Sequence, residues 1–145
     1  MKQIVFVNIK NAKGRGEYVS MLQKIIDAGI DPFDPDYIMR NHPHPILKRG
    51  KHWFITKSAH PYPGSLHHFM VISSTYVELL EELPIDAAIE LQKIIAEINK
   101  DYDIQGGGYW MRYGDSDLTG ATVKRLHGHI IAADPNGPGV RIPLK

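Results

Sequence analysis

The chain has no cysteine among its 145 residues. That absence excludes a disulfide framework and thiolate metal sites, and it fits a reducing compartment. Long apolar runs are missing as well: Ile4-Val5-Phe6-Val7 is too short for a signal h-region or a membrane span. Neither sign of charge dominates, with 17 Lys+Arg against 16 Asp+Glu and a formal net charge of +1. Such a balance gives no broad electrostatic reason to bind nucleic acid or an anionic membrane. A soluble cytoplasmic protein is expected. What the chain does have is 43% hydrophobic residues, enough for a single core in one domain spanning 1–145, and eight histidines. Eight is high for this length, and some of them are expected to work.

Hydrophobic patterning places the elements. Residues 4–9 read as a short strand and 11–16 as a basic, glycine-containing turn. Tyr18, Met21, Leu22, Ile25 and Ile26 have helical spacing, with Gly29 as a stop. Asp31-Pro32, Asp34-Pro35, Pro43 and Pro45 predict a loop over 31–48, in which His42 and His44 are solvated. Strands are predicted over 53–56, 68–73, 109–112 and 126–133. Trp53 and Phe54, as strand neighbours, face opposite sides, and each is read as core. Thr75 with Glu78 makes a capping box for a short helix. Pro84 opens a longer one, with Ala88, Leu91, Ile95 and Ile98 as its apolar stripe. Strands in runs with helices between them argue an α+β class with a mainly antiparallel sheet.

The densest chemistry lies in Thr119-Gly120-Ala121-Thr122-Val123-Lys124-Arg125-Leu126-His127-Gly128-His129-Ile130-Ile131. A period of two points Arg125, His127 and His129 one way, with Leu126, Gly128 and Ile130 pointing the other. The strand ends in Ile130-Ile131-Ala132-Ala133, a buried run that fixes ring orientation. Gly128 leaves room for another backbone or a ligand between the two histidines. The preceding turn offers backbone amides and the hydroxyls of Thr119 and Thr122 to the same point. An anionic phosphate facing a nitrogen nucleophile suits that combination.

This stretch resembles the histidine triad (HIT) family motif His-φ-His-φ-His-φ-φ, with φ apolar and Arg125 standing where the family has its first histidine. Further similarity runs through Gly106-Gly107-Gly108, Met111-Arg112-Tyr113-Gly114-Asp115, Pro61-Tyr62-Pro63-Gly64 and His68-Phe69-Met70-Val71-Ile72. It covers about residues 45 to 143. The resemblance implies a HIT-like fold, with a sheet of about five strands and two main helices. It implies a hydrolase or nucleotidyltransferase that cleaves at the α-phosphate of a nucleotide derivative. His127 takes the nucleophile's place in the motif and His129 that of the third histidine. His68 matches a further histidine on the earlier strand, and Thr122 a phosphate-contacting Ser or Thr. Gly114 stands where some members place an asparagine. Purine nucleoside phosphates as substrate, a homodimer and no cofactor or metal are likewise implied.

Gly120 and Ala121 are expected to complete the phosphate pocket with their amides, and His60 to border the ribose. Arg125 is expected to contact phosphate, or a carboxylate behind the site. Arg112 reads as a partner for an acidic group or an ordinary strand-end cation, and Asp115 and Asp117 as turn residues. Two other functions fit the same residues. One is a nucleotide-binding module whose catalysis is impaired by Arg125; the other is a metal site built from His68, His127 and His129.

Overall fold

The computed structural model describes residues 4–12 and 16–145, so the basic turn expected over 11–16 falls partly outside the described residues. Five strands, β1 (Ile46–Arg49), β2 (Trp53–Lys57), β3 (Ser65–Ser73), β4 (Gly108–Arg112) and β5 (His127–Ala133), form one antiparallel sheet. Their order is β1-β2-β3-β5-β4, which places β5 between β3 and the edge strand β4. The helices are α1 (Gly16–Asp27), α2 (Pro35–Asn41), α3 (Ile85–Asp101) and the one-turn α4 (Ser116–Thr119). No helix of the described residues is long and apolar enough to cross a membrane.

Alternation along the strands gives the sheet two faces with different cargo. On one face Trp53, Ile55, Phe69, Val71 and Ile130 pack against Ala87, Ile94 and Ile98 of α3. On the other, Phe54, Met70 and Ile72 pack with Ile38 of α2. His68, two residues before Met70 on β3, shares this second face with His127 and His129 of β5, which pair with Ile72 and Met70. A third cluster, Val7, Ala12, Leu22 and Ile25, belongs to the N-terminal segment and α1. Trp53 and Phe54 are core residues on opposite faces, as their alternation requires.

The stripe of α3 is rotated from the expected one. Ala87 is buried where Ala88 was expected, and Leu91 and Ile95 only partly face the sheet. Polar anchors set the rotation. The Glu90 carboxylate accepts the N–H groups of Lys51, His52 and Trp53 at 2.7, 2.8 and 2.8 Å. The Trp53 indole N–H donates to the Ala87 carbonyl at 2.8 Å. With Glu90 turned to the β1–β2 turn, Ala87 must face inward and Ala88 outward.

Local hydrogen bonding explains the other departures. Residues 4–9 make a single bridge, Val7 to Val123, before a 3₁₀ turn at Ile9–Ala12. Two backbone hydrogen bonds flank that bridge, Asn8 N–H to the Thr122 carbonyl at 2.7 Å and Lys124 N–H to the Phe6 carbonyl at 2.9 Å, and the Asn8 side chain donates to Ser116 Oγ and Asp117 Oδ1, both at 2.8 Å. Within the loop expected over 31–48, Asp34 caps α2 through Oδ1, with Pro35 as the first helical residue, and β1 follows. No helix starts at Thr75. The turn is a 3₁₀ element at Leu80–Glu82, and the Glu82 carboxylate accepts the Glu78 and Leu79 N–H groups at 2.8 and 2.9 Å.

The rotated stripe makes a direct prediction. Ile98→Ala removes a fully buried side chain and should cost about 2–5 kcal/mol in urea unfolding. Ile89, 67% exposed on the same helix, should change stability by less than about 0.5 kcal/mol when replaced by alanine. Equal losses for the two variants would contradict the observed orientation of α3 on the sheet.

Candidate active site

β5 begins at His127, so Arg125 lies in the bend before the strand and leaves the histidine face. Its guanidinium is buried and fully engaged. Nε donates to the Ser73 carbonyl at 2.8 Å, Nη2 to the Ser74 carbonyl at 2.6 Å, and Nη1 to Asp31 Oδ2 at 2.7 Å. Of the two contacts expected for Arg125, phosphate or carboxylate, the structure has the carboxylate. Three groups aligned on one face thus become two, His127 and His129.

Hydrogen bonds fix the tautomer of each ring. His127 Nδ1 lies 2.7 Å from the Arg125 carbonyl, which can only accept. Nδ1 therefore carries the proton, and Nε2 keeps the lone pair. The Tyr62 backbone N–H donates to His68 Nδ1 at 3.1 Å, which puts the His68 proton on Nε2. That proton is directed at His129 Nδ1, 2.8 Å away, leaving His129 protonated on Nε2. His129 Nε2 is buried and has no hydrogen-bond partner among the described residues. One side of the site thus presents a lone pair and the other an N–H.

Packing holds the rings and keeps them neutral. Tyr62 and Trp110 both stack on His129, at centroid distances of 5.5 and 5.6 Å. Phe33 meets the His127 ring edge-on at 4.8 Å. Burial lowers His127 to a pKa of about 4 against the pull of its backbone hydrogen bond, and the Arg112 charge adds to the depression. Burial lowers His68 to about 4. It takes His129 to about 2, reinforced by His127, His68 and Arg112. All three are neutral at pH 7, and between His68 and His129 the single-proton hydrogen bond agrees with that state.

A cavity of about 600 Å³ opens in front of these rings. His60, His68, Gly120, Thr122, His127 and His129 line it, together with Arg112 from β4. Its roof comes from the N-terminal segment: Tyr18, Leu22 and Ile25 of α1, Phe33, and Tyr37 and Ile38 of α2. Among the described residues its lining includes no Asp or Glu side chain. Of the residues expected at the phosphate, Ala121 lies elsewhere. It is buried, with its carbonyl accepting from Asn11 Nδ2 at 2.7 Å. Gly120 ends α4 in a left-handed conformation (φ 79°), and a Cβ there would strike the Lys145 backbone.

Gly128 makes room for β4 and not for a ligand, because a Cβ would lie 3.0–3.1 Å from Met111 Cε, the Trp110 carbonyl and the Tyr109 ring. Asp115 caps α4 and Asp117 pairs with Lys10 at 2.9 Å, so both serve the turn. His42 departs from its expected place in solvent: it lines the cavity and its Nε2 lies 2.7 Å from the Lys57 carbonyl. Sequence reasoning missed the roof and ranked Arg112 low. The helical spacing of Tyr18, Leu22 and Ile25 marks an apolar face but says nothing of what it covers. Among the described residues no group of three or more His, Cys, Asp or Glu is placed to hold a metal. His68 Nε2 and His129 Nδ1 face each other, which occupies two nitrogens a shared metal would need.

No protein-family model and no curated protein matches the sequence. Solved structures do. A HIT family hydrolase from Clostridium thermocellum is similar at 22% identity and TM-score 0.54, over 70% of this chain and 90% of that one. A zinc-bound histidine triad family protein from Mycobacterium smegmatis is similar at 16% identity and TM-score 0.54, over 76% and 79%. A diadenosine triphosphate hydrolase from Plasmodium falciparum reaches TM-score 0.50 at 18% identity, over 63% and 62%. The fold is that of the histidine triad proteins. The HIT fold places β5, which carries the motif, inside the sheet, so its histidines are aimed by two neighbouring strands.

The Arg125–Asp31 pair is buried, with side chains 4% and 7% exposed. Removing one partner leaves a buried charge unpaired, so Arg125→Met and Asp31→Asn should each cost about 3–5 kcal/mol in urea unfolding. The double variant should lose less than the sum of the two. Independent, additive losses would mean that the pair is not coupled.

Proposed function

We propose that the protein is a HIT-family nucleotide hydrolase or nucleotidyltransferase that works through a covalent His127 intermediate. The observation that carries this reading is the His127 tautomer. Nδ1–H is held by the Arg125 carbonyl, so Nε2 keeps its lone pair in the wall of a cavity that, among the described residues, is lined by no Asp or Glu side chain. A neutral, oriented imidazole beside a positive cavity suits attack on an anionic phosphorus. The diadenosine triphosphate hydrolase among the similar structures agrees with that chemistry.

The steps balance without a cofactor. The Nε2 lone pair forms a bond to the α-phosphorus, and the P–O or P–N bond to the leaving group breaks. Its electron pair departs with that group, which takes a proton from solvent where its basicity requires one. Water then forms a new P–O bond and loses a proton to solvent. The P–N bond to His127 breaks, returning the lone pair to Nε2. His129 Nε2–H is a donor suited to the non-bridging oxygens, and the Thr122 hydroxyl is a second. Dinucleoside polyphosphates and nucleoside phosphoramidates are the substrate classes that fit, with the apolar roof against the purine.

Replacement of the family's first histidine does not touch this mechanism, because its contribution to the nucleophile here is a backbone carbonyl. Arg125 supplies that carbonyl as well as histidine does. The binding-module reading therefore loses its main argument.

His127→Asn should reduce turnover of a dinucleoside polyphosphate or phosphoramidate by about 10⁴-fold or more. Nucleotide binding, read by calorimetry, should survive. Only neutral His127 attacks, and its pKa is lowered to about 4. Turnover should thus stay level down to about pH 5 and fall as pH drops through 4, not through 6. A His127→Asn protein of comparable activity sinks the nucleophile assignment. Wild-type protein that binds these compounds without turnover is instead a binding module.

We also propose a homodimer. The expected contact, the α3 stripe, is consumed by its own sheet. What remains for a partner copy is the edge strand β4 and the outward face of α3, where Ile85 and Ile89 are 81% and 67% exposed. Light scattering on a size-exclusion column should give twice the chain mass at micromolar concentration. A monomer there refutes it.

A further inference from the structure

Arg125 looked, in the sequence, like the cation of the phosphate pocket, yet Asp31 neutralises it outside that pocket. The cavity nonetheless holds a guanidinium. Arg112 is the register partner of His127 on the adjacent strand β4. Directly opposed residues of an antiparallel pair project to the same face with Cβ atoms about 4.5–5.5 Å apart. Trp110, two residues earlier and so on the same face, pairs with His129 and stacks on it. The Arg112 guanidinium lies over the Trp110 ring, 5.0 Å from its centroid, which turns the charge back along the strand toward both histidines. Arg112 is half-buried; it lines the cavity and also borders a smaller neighbouring pocket whose lining includes Glu78.

We propose that Arg112 is the phosphate-binding cation of this site, its guanidinium holding the non-bridging oxygens of the group that His127 attacks. The inference rests on the reading of the site as one for phosphoryl-bearing substrates. A planar guanidinium suits this task, because its fork can hold two oxygens at once and its charge persists at every working pH. As charge builds on the equatorial oxygens in the transition state, a fixed cation beside them lowers the barrier at no cost in reorganisation. The placement also lets Arg112 act on the nucleophile, since its charge contributes to the lowered pKa of both His127 and His129. Trp110 serves as its platform. Lys145 also lines the cavity, beside Gly120, and is the competing cation.

The test compares binding of inorganic phosphate, adenosine monophosphate and adenosine to wild type, Arg112→Gln, Arg112→Lys, Lys145→Gln and Arg49→Gln. Arg49 is exposed at the end of β1, and its variant controls for net charge. Wild type should prefer the monophosphate to the nucleoside, and Arg112→Gln should erase that preference by about 10- to 100-fold, as for a charged hydrogen bond. Adenosine affinity should be unchanged. Arg112→Lys should recover part of the loss, and Arg49→Gln should behave as wild type. The His127 pKa, followed by NMR, should rise in Arg112→Gln because a repelling charge is gone, a shift that a structural role would not produce.

The proposal is overturned if Arg112→Gln keeps the preference, if Lys145→Gln alone abolishes it, or if wild type binds neither phosphate nor monophosphate. Arg112-dependent phosphate binding with no affinity for either adenosine compound would uphold Arg112 while the nucleotide reading fell.

Discussion

The buried guanidinium of Arg125 is the constraint on which the rest of this site depends. Three of its nitrogens reach acceptors at 2.6–2.8 Å, two of them backbone carbonyls just after β3 and the third the Asp31 carboxylate. That arrangement immobilises the bend that leads into β5. It thereby fixes the direction of the Arg125 carbonyl, which holds the proton of His127. The same ion pair ties the segment ahead of α2 to the sheet, and Phe33 of that segment packs on the His127 ring. One side chain therefore sets the His127 tautomer from below and its cover from above. A charge buried this deeply is tolerable because a carboxylate pairs it and each of its three nitrogens has an acceptor.

From that anchor the other rings follow by elimination of alternatives. A neutral imidazole has one donor and one acceptor, so a fixed partner on one nitrogen dictates the other. The Tyr62 amide fixes His68, and His68 fixes His129. Stacking by Tyr62 and Trp110 excludes water from His129, and exclusion of water is the largest cause of its depressed pKa. His68 and His129 thereby resist protonation, since a proton added at either Nδ1 would set two N–H groups against each other. Neutrality at pH 7 is therefore a consequence of packing and of tautomer locking together.

The roof gives the site its second character. The histidine face of the sheet ends in an open surface, and α1 and α2 cover it with an apolar wall. A cavity that combines imidazoles and a guanidinium with an apolar wall has a polar end and an apolar end.

Much of this was legible in the residues themselves. Alternation in Leu126 to Ile131, the Gly120 turn and the apolar end of β5 gave the strand, its faces and the shared face of His127 and His129, because strand periodicity and turn chemistry are local. The stop of α1 at Gly29, left-handed at φ 67°, is local in the same way. Two other features were decided by partners far along the chain. The fate of Arg125 depends on Asp31, 94 residues away, which no periodicity connects to it. The importance of Arg112 depends on the register that sets it opposite His127, which sequence spacing leaves open. Rotation of α3 by one residue likewise follows from Glu90 reaching back 37–39 positions to the β1–β2 turn. The sequence determined which residue types carry the chemistry and which face of each strand they occupy. Only the tertiary structure decided which cation is spent on folding and which faces the cavity, because pairing between charges is a matter of distance in space.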